Sequence, residues 1–378
     1  MRVPRTLSIY VLREVLQYAG IGLLSVGSIL MTQNLLRELS DLSGLGFETR
    51  DVVAVFSCLG LILSAYAIPV AFLFGVLVAV GRLSADSEVV AMRALGVSLG
   101  QFFAPFLALA ILFSATTAVL LYDVEPASRR RLRAVVSDIA SRGGIIQPGR
   151  FNELDRHGHR LVFVEDRTDD NRLSRVVISD RTNPDKPFLV VAETGQFKMD
   201  PVSATAHLEL ENGDIHFDPG ESEARYQRIA FKTFDYAFDM SNVIGAGFGS
   251  FRPHEMSSRD IRDVLAYFEA NGEPPPVVRV RTSEKYEVQL QRRYALPMAP
   301  ILFALVGVPL GLRRARGARS KGVLICALLV FGYYALLSAG VYLAERHVVP
   351  AWLGLWIPNG VFVLVGGALL ARARRAES

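Results

Sequence analysis

The sequence predicts an α-helical membrane protein with an inserted all-β domain: six transmembrane helices, three before the domain and three after it. Three observations predict this class. Six apolar runs, roughly 15–36, 52–81, 94–122, 294–312, 322–344 and 348–371, contain no Asp, Glu, Lys or Arg, and each is close to or above the ~20 residues that a helical crossing needs. The block between the third and fourth runs, 123–288, is polar and roughly 165 residues long, enough for a domain of its own. Within it, from about Arg150, apolar and polar residues alternate with period two, the mark of half-buried strands. The expected division is 1–122, 123–288 and 289–378.

The first run follows Arg2, Arg5 and Arg13, as a secretion signal would. It continues for 22 residues with no small-residue cleavage site, so it reads as a retained span. Orientation follows from Lys and Arg near the helix ends, which stay on the cytoplasmic side. The N-terminal arginines, the loop RRARGARSK (Arg313, Arg314, Arg316, Arg319, Lys321) and the tail with Arg372, Arg374 and Arg375 share one side if the spans number six. That side is cytoplasmic, and so is the turn Arg82–Gln101, which leaves 123–288 outside. The formal charge of +4 and pI of 9.1 come from residues clustered at membrane flanks, where they hold topology and meet anionic lipid. Nucleic-acid binding is not expected. Both cysteines, Cys58 and Cys326, lie inside predicted spans, so the outer domain carries no disulfide.

The turn RLSADSEVVAMRALGVSLGQ separates two uncharged runs. Ser84 can cap a helix beginning near Ala85 and Gly96 can end it, giving a helix at about 84–96. Glu88, Ala91, Met92 and Leu95 fall at i, i+3, i+4 and i+7, a mostly apolar face with a carboxylate at its edge. Two uses are open. Interfacial helices carry Lys or Arg on the polar face, whereas this one sets Asp86 and Glu88 against Arg93. The alternative is insertion into a partner's groove, with Glu88 making a charge-assisted bond.

In the outer domain HRLVFVED, RVVISDR, PFLVVAETGQFKMD, ATAHLELENGDIHFD and RYQRIAFKTFDYAF alternate and are separated by turn signals, reading as an antiparallel sandwich or roll. Asn212-Gly213 between HLELE and IHFD is the clearest expected hairpin. SSRDIRDVLAYFEANG, 257–272, reads as a helix with Ser258 before it and Gly272 after it. GEPPPVV, 272–278, reads as a stiff link back to the membrane. His157-Gly158-His159 occupies an expected hairpin tip and reads as a solvated turn; no metal site is expected. No G-x-S-x-G, H-E-x-x-H or paired-Cys pattern occurs, so an enzyme is not expected.

The sequence also contains no G-x-x-x-x-G-K-[ST], so any nucleotide-driven motion must be powered by another chain. Gradient-driven carriers show ionisable groups inside their spans, and these six spans are clear of them, His347 lying at an edge. Prolines 69, 105, 297, 300, 309 and 358 interrupt the spans and can kink them.

The chain resembles the LptF/LptG family of permeases from the lipopolysaccharide-export ABC transporter. Four stretches carry the resemblance: YVLRE at 10–14, the turn RLSADSEVVAMRALGVS, the segment KYEVQLQRRYALPMAPILFALVGVPLGL, and WIPNGVF at 356–362. The resemblance implies a bacterial inner-membrane protein with cytoplasmic termini and a periplasmic jellyroll-like β domain. It implies no cofactor in this chain, and these partners: a cytoplasmic ABC ATPase dimer, a second LptF/LptG-type permease, a single-span regulatory protein, periplasmic bridge proteins, and lipopolysaccharide itself. The turn is then the coupling helix, with Glu88, Val89, Met92, Arg93 and Leu95 contacting the ATPase. Arg37, Arg292 and Arg293 are candidates for the lipid phosphates. The cavity lining would come largely from helices 1, 2 and 5, with Phe72, Phe74, Phe331, Tyr333 and Tyr334 as candidates. The single outer-end Arg37, in place of several lysines, tilts the resemblance toward the F-type subunit. The rival expectation is a membrane-anchored envelope scaffold with no transport cycle, for which the turn would bind nothing.

Overall fold

A computed structural model describes residues 5–42, 49–141, 146–154, 158–168, 172–183, 186–200, 205–217, 226–239, 252–275, 278, 280–312 and 318–375. Among them, six helical segments are long and apolar enough to cross a membrane. Helices α1 (Arg5–Leu42) and α2 (Thr49–Ala85) form the first two spans. A short α3 (Glu88–Ala94) follows, then α4 (Leu99–Val119). The third span does not stop at the domain boundary. A single π turn, Leu120–Val124, carries it into α5 (Glu125–Ser141). Val135, Val136 and Ile139 of α5 pack against the core of the β domain, so α5 is a stalk joining domain to bundle.

Six strands follow: β1 (Phe151–Glu153), β2 (Arg160–Arg167), β3 (Arg172–Asp180), β4 (Phe188–Asp200), β5 (Thr205–Phe217) and β6 (Gln227–Asp239). The alternating stretches correspond to β2 through β6, and every neighbouring pair is antiparallel. The expected sandwich or roll takes the form of one sheet in the order β1-β2-β3-β4-β5-β6. That sheet curls. The Tyr236 hydroxyl on β6 donates to Asp180 Oδ2 on β3 at 2.6 Å, although a flat sheet with strands ~4.8 Å apart would hold those strands ~14 Å apart. Curling places Val164, Ile178, Val190, Leu208 and Phe238 in a common interior. Burial opposes ionisation of Asp180, but hydrogen bonds from Thr182 and Tyr236 and the charge of Arg160 outweigh it and hold its pKa below the usual carboxylate value.

Asn212-Gly213 is not a hairpin. Both residues lie inside the continuous β5, where Asn212 takes a positive φ of 53°. A Cβ on Gly213 would meet the Val191 carbonyl and the Phe231 ring, so the pair kinks a long strand at a point of close backbone approach. The registers close instead at the ends of β5, at Asp200↔Thr205 with β4 and at Phe217↔Gln227 with β6.

Helix α6 (Ser258–Asn271) is capped one residue earlier than expected. Ser257 and Asp260 exchange the reciprocal bonds of a capping box, and Gly272 ends the helix at φ +70°. The chain re-enters the bundle through α7 (Ser283–Ala295), a 3₁₀ turn at Leu296–Met298, and α8 (Ala299–Gly311). Helices α9 (Ala318–Glu345) and α10 (Ala351–Arg375) complete it. Between membrane helices small residues permit close backbone approach. Gly340 of α9 and Gly354 of α10 meet so tightly that a Cβ on either would fall on the other's carbonyl group.

Candidate functional site

Two polar clusters lie at opposite ends of the bundle. The first holds the short helix α3. Helix α2 runs straight through Ser84 to Ala85, so Ser84 is not a cap; its hydroxyl donates to the Leu312 carbonyl at the end of α8 at 3.3 Å. The chain reverses at Ser87, in the left-handed region at φ 59°, and α3 begins at Glu88. Its other end is a Schellman turn. Gly96 at φ +86° donates to the Arg93 carbonyl at 2.9 Å, and Val97 to the Met92 carbonyl at 3.1 Å. Ser98 and Gln101 then form the capping box that starts α4.

α3 is fastened through its carboxylate. The Tyr10 hydroxyl donates to Glu88 Oε2 at 2.9 Å. Arg82 Nη2 donates to the Tyr10 oxygen at 2.6 Å, and Arg82 Nε lies 2.7 Å from Glu14 Oε1. Three helices therefore meet in one chain: α1 through Tyr10 and Glu14, α2 through Arg82, α3 through Glu88. Tyr10 and Glu14 are the first and last residues of the YVLRE stretch, and sequence reasoning assigned them no role; their spacing of one helical turn before an arginine-terminated span was the available signal. Glu88 is thus engaged within the chain as well as half-exposed.

The remaining turn residues divide by face. Val89 is 7% exposed, and it lines a small groove with Met92, Arg93, Val97, Leu99, Phe102 and Leu312. Val89 and Met92, expected on the contact surface, face α4 and the end of α8 instead, Val89 buried and Met92 half-buried against Leu99, Phe102 and Leu312. Leu95 is 86% and Val90 48% exposed, and Arg93 is exposed beside them. Val90, which periodicity did not single out, is part of the outward apolar face.

The second cluster lies where the domain joins. The π turn rotates the chain so that Glu125 faces inward, 1% exposed. Its Oε1 accepts from Arg129 Nε and Nη2 at 2.9 and 2.7 Å and from the Tyr66 hydroxyl at 3.2 Å. The Arg292 guanidinium stands 5.0 Å over the Tyr66 ring, a cation–π arrangement. Arg133 pairs with Glu255 at 2.8 Å, and Arg130 donates to the Glu255 carbonyl at 2.9 Å. Burial, then the charges of Arg129, Arg252, Arg292 and Arg293, push His254 down to about 3. Arginines outnumber carboxylates here, so the junction favours anions.

The predicted phosphate residues fare differently. Arg292 is half-buried within this basic junction. Arg293 is not at a surface: it is fully buried, donating to the Met256 carbonyl at 2.6 Å and to Ser258 Oγ at 3.0 Å. It ties α7 to the start of α6 and has no face to offer a lipid. The Arg37 side chain and the basic loop 313–317 lie outside the described residues, as does His157. Among the cavity candidates Phe72 and Tyr333 are fully buried, whereas Phe331 is 74% exposed.

The family profile of the lipopolysaccharide export system permease LptF/LptG matches residues 9–372. The chain is 23% identical over 323 residues to the lipopolysaccharide export system permease protein LptF of Escherichia coli K12, covering 82% of this chain and 80% of that one. The protein of the same description from Shigella flexneri matches with the same identity and coverage. With six spans, an inserted β domain and a profile match over nearly its whole length, the chain belongs to the lipopolysaccharide export system permease LptF/LptG family.

Proposed function

We propose that this chain is one permease half of an ATP-driven lipopolysaccharide exporter, working beside a second LptF/LptG-type permease. An ABC ATPase dimer docks on the cytoplasmic turn, and the β domain lies in the periplasm. The observation that carries this reading is the fastened α3: its outward face offers Val90, Arg93 and Leu95, while Tyr10, Glu14, Arg82 and Glu88 yoke it to α1 and α2. A push on α3 is then passed to both helices through the ion pair and hydrogen bonds.

At the other end, Arg292 stands in the basic junction where an anionic headgroup would arrive, and its planar guanidinium suits phosphate. Arg37 is its proposed counterpart on α1. The curled sheet encloses an apolar interior suited to acyl chains on their way to a periplasmic bridge. A single-span regulatory partner completes the proposed assembly.

Reconstitution tests this. Proteoliposomes holding both permeases and the ATPase should release lipopolysaccharide to a soluble periplasmic acceptor only with ATP. Leu95→Asp and Glu88→Ala should retain folding and lose ATP-dependent release. Full release by both variants would overturn the docking assignment, and no release by the wild-type assembly would leave the anchored scaffold.

A further inference from the structure

The ALPMAP stretch, Ala295–Pro300, breaks the helix formed by α7 and α8. In a continuous helix each N–H serves the carbonyl four residues back. Pro297 and Pro300 have no N–H, so they cannot serve Arg293 and Leu296. The Ala299 N–H turns to the Leu296 carbonyl instead, and this leaves the Ala295 carbonyl without its helical donor in an apolar bundle. That carbonyl is served from another span: Asn359 Nδ2 on α10 donates to Ala295 O at 3.1 Å. The Tyr333 hydroxyl on α9 donates to Asn359 Oδ1 at 2.9 Å, both residues being buried. On the opposite side, Ser114 of α4 donates to the Pro297 carbonyl at 2.6 Å.

We propose that Asn359 is a positioning residue that closes the interrupted turn and so sets the angle between α7 and α8. The two halves are fastened to different things. α7 is tied to the domain through Arg293 and carries Arg292 one turn before the break. α8 packs against α2, and its end receives the hydroxyl of Ser84 beside the α3 turn. The ALPMAP turn is the covalent joint between these halves, and the amide of Asn359 satisfies its open carbonyl. Tyr333 fixes which way that amide points. This inference rests on the export reading only for its consequence, that movement at the α3 turn reaches Arg292 and the domain through this joint.

The test is a double-mutant cycle on the full chain in detergent or nanodiscs, with no lipid substrate or ATPase, so its outcome is independent of the export reading. Asn359→Leu removes the donor at similar volume. Pro297→Ala with Pro300→Ala restores the N–H groups and lets Ala299 serve Ala295 again. The expected result is that Asn359→Leu lowers Tm by several degrees, about 2–4 °C for each kcal/mol lost, in the wild-type background, and by less than half as much in the alanine background. Spin labels at Ala85→Cys and Lys285→Cys should report a broadened distance distribution for Asn359→Leu that narrows again in the alanine background. Equal Tm losses in both backgrounds, or an unchanged distribution in Asn359→Leu, would reduce Asn359 to a packing residue and overturn the proposal.

Discussion

Tyr10→Phe removes one oxygen and two interactions. That oxygen donates to Glu88 Oε2 at 2.9 Å and accepts from Arg82 at 2.6 Å. Its loss, with the ring still in place, unlinks α3 from α1 and leaves only the longer Arg82–Glu88 ion pair, at 3.9 Å, between the side chains of α3 and α2. A buried hydrogen bond to a charged group contributes about 1.5–3 kcal/mol. Tyr10 is 38% exposed, and screening by solvent lowers the expected loss to about 1 kcal/mol. A loss of that size raises the population of detached α3 about fivefold. Amide hydrogen exchange in nanodiscs reads this directly: the hydrogen-bonded amides from Ala91 to Val97 should exchange about fivefold faster, with those of α6 unchanged. Glu14→Gln, which weakens the Arg82 anchor, should move the same amides in the same direction. If Tyr10→Phe leaves α3 exchange at the wild-type rate, the hydroxyl is not what fastens the turn, and the yoke between α1, α2 and α3 is refuted.

Other consequences follow from the same geometry. Arg293→Lys should destabilise the domain junction by about 1.5–3 kcal/mol, seen as a lowered Tm, because an ammonium cannot fork to both Met256 O and Ser258 Oγ; Arg292→Gln should leave Tm near wild type and weaken lipopolysaccharide binding instead. His254 is held neutral, with its pKa depressed from 6.5 to about 3. Its contribution is therefore fully present above pH 6.5 and is lost progressively as pH falls toward 3, at up to about 1.4 kcal/mol per pH unit; His254→Gln should flatten that part of the stability profile. Gly340→Ala should shift or loosen the α9–α10 contact, since the added methyl meets the Gly354 carbonyl, and thermal unfolding should show the loss.

Much of this architecture was legible in the chain because bilayer thickness and strand alternation impose strong periodic demands. The six spans and the strands β2–β6 follow from those demands alone. What was hidden depends on exact phase or on distant partners. Ser84 has the chemistry of a cap, but the apolar run before it keeps α2 helical past it, and this moves the start of α3 to Glu88. That Val89 and Met92 face inward depends on Leu99, Phe102 and Leu312, which pack against them. Asn212-Gly213 has hairpin chemistry, yet two long neighbours pair across both of its sides and hold it in one kinked strand. Arg292 and Arg293 are adjacent in sequence but about 100° apart around a helix, so one meets Tyr66 and the other is sealed against Met256. Tyr10 and Glu14 become informative only when Arg82, some seventy residues away, is placed beside them. Within WIPNGVF nothing in the sequence identifies a partner for Asn359; the structure supplies one in the Ala295 carbonyl of α7.

The most direct measurement is the sidedness and contact of α3. Single cysteines at Leu95 and at Lys186, in a background without Cys58 and Cys326, can be treated with a membrane-impermeant maleimide in intact spheroplasts and probed by cross-linking to the ABC ATPase. Protection of Leu95→Cys until the membrane is opened, labelling of Lys186→Cys from outside, and a Leu95 cross-link to the ATPase are the predicted results. Labelling of Leu95→Cys from outside, or its failure to cross-link in an assembly that hydrolyses ATP, would contradict the account.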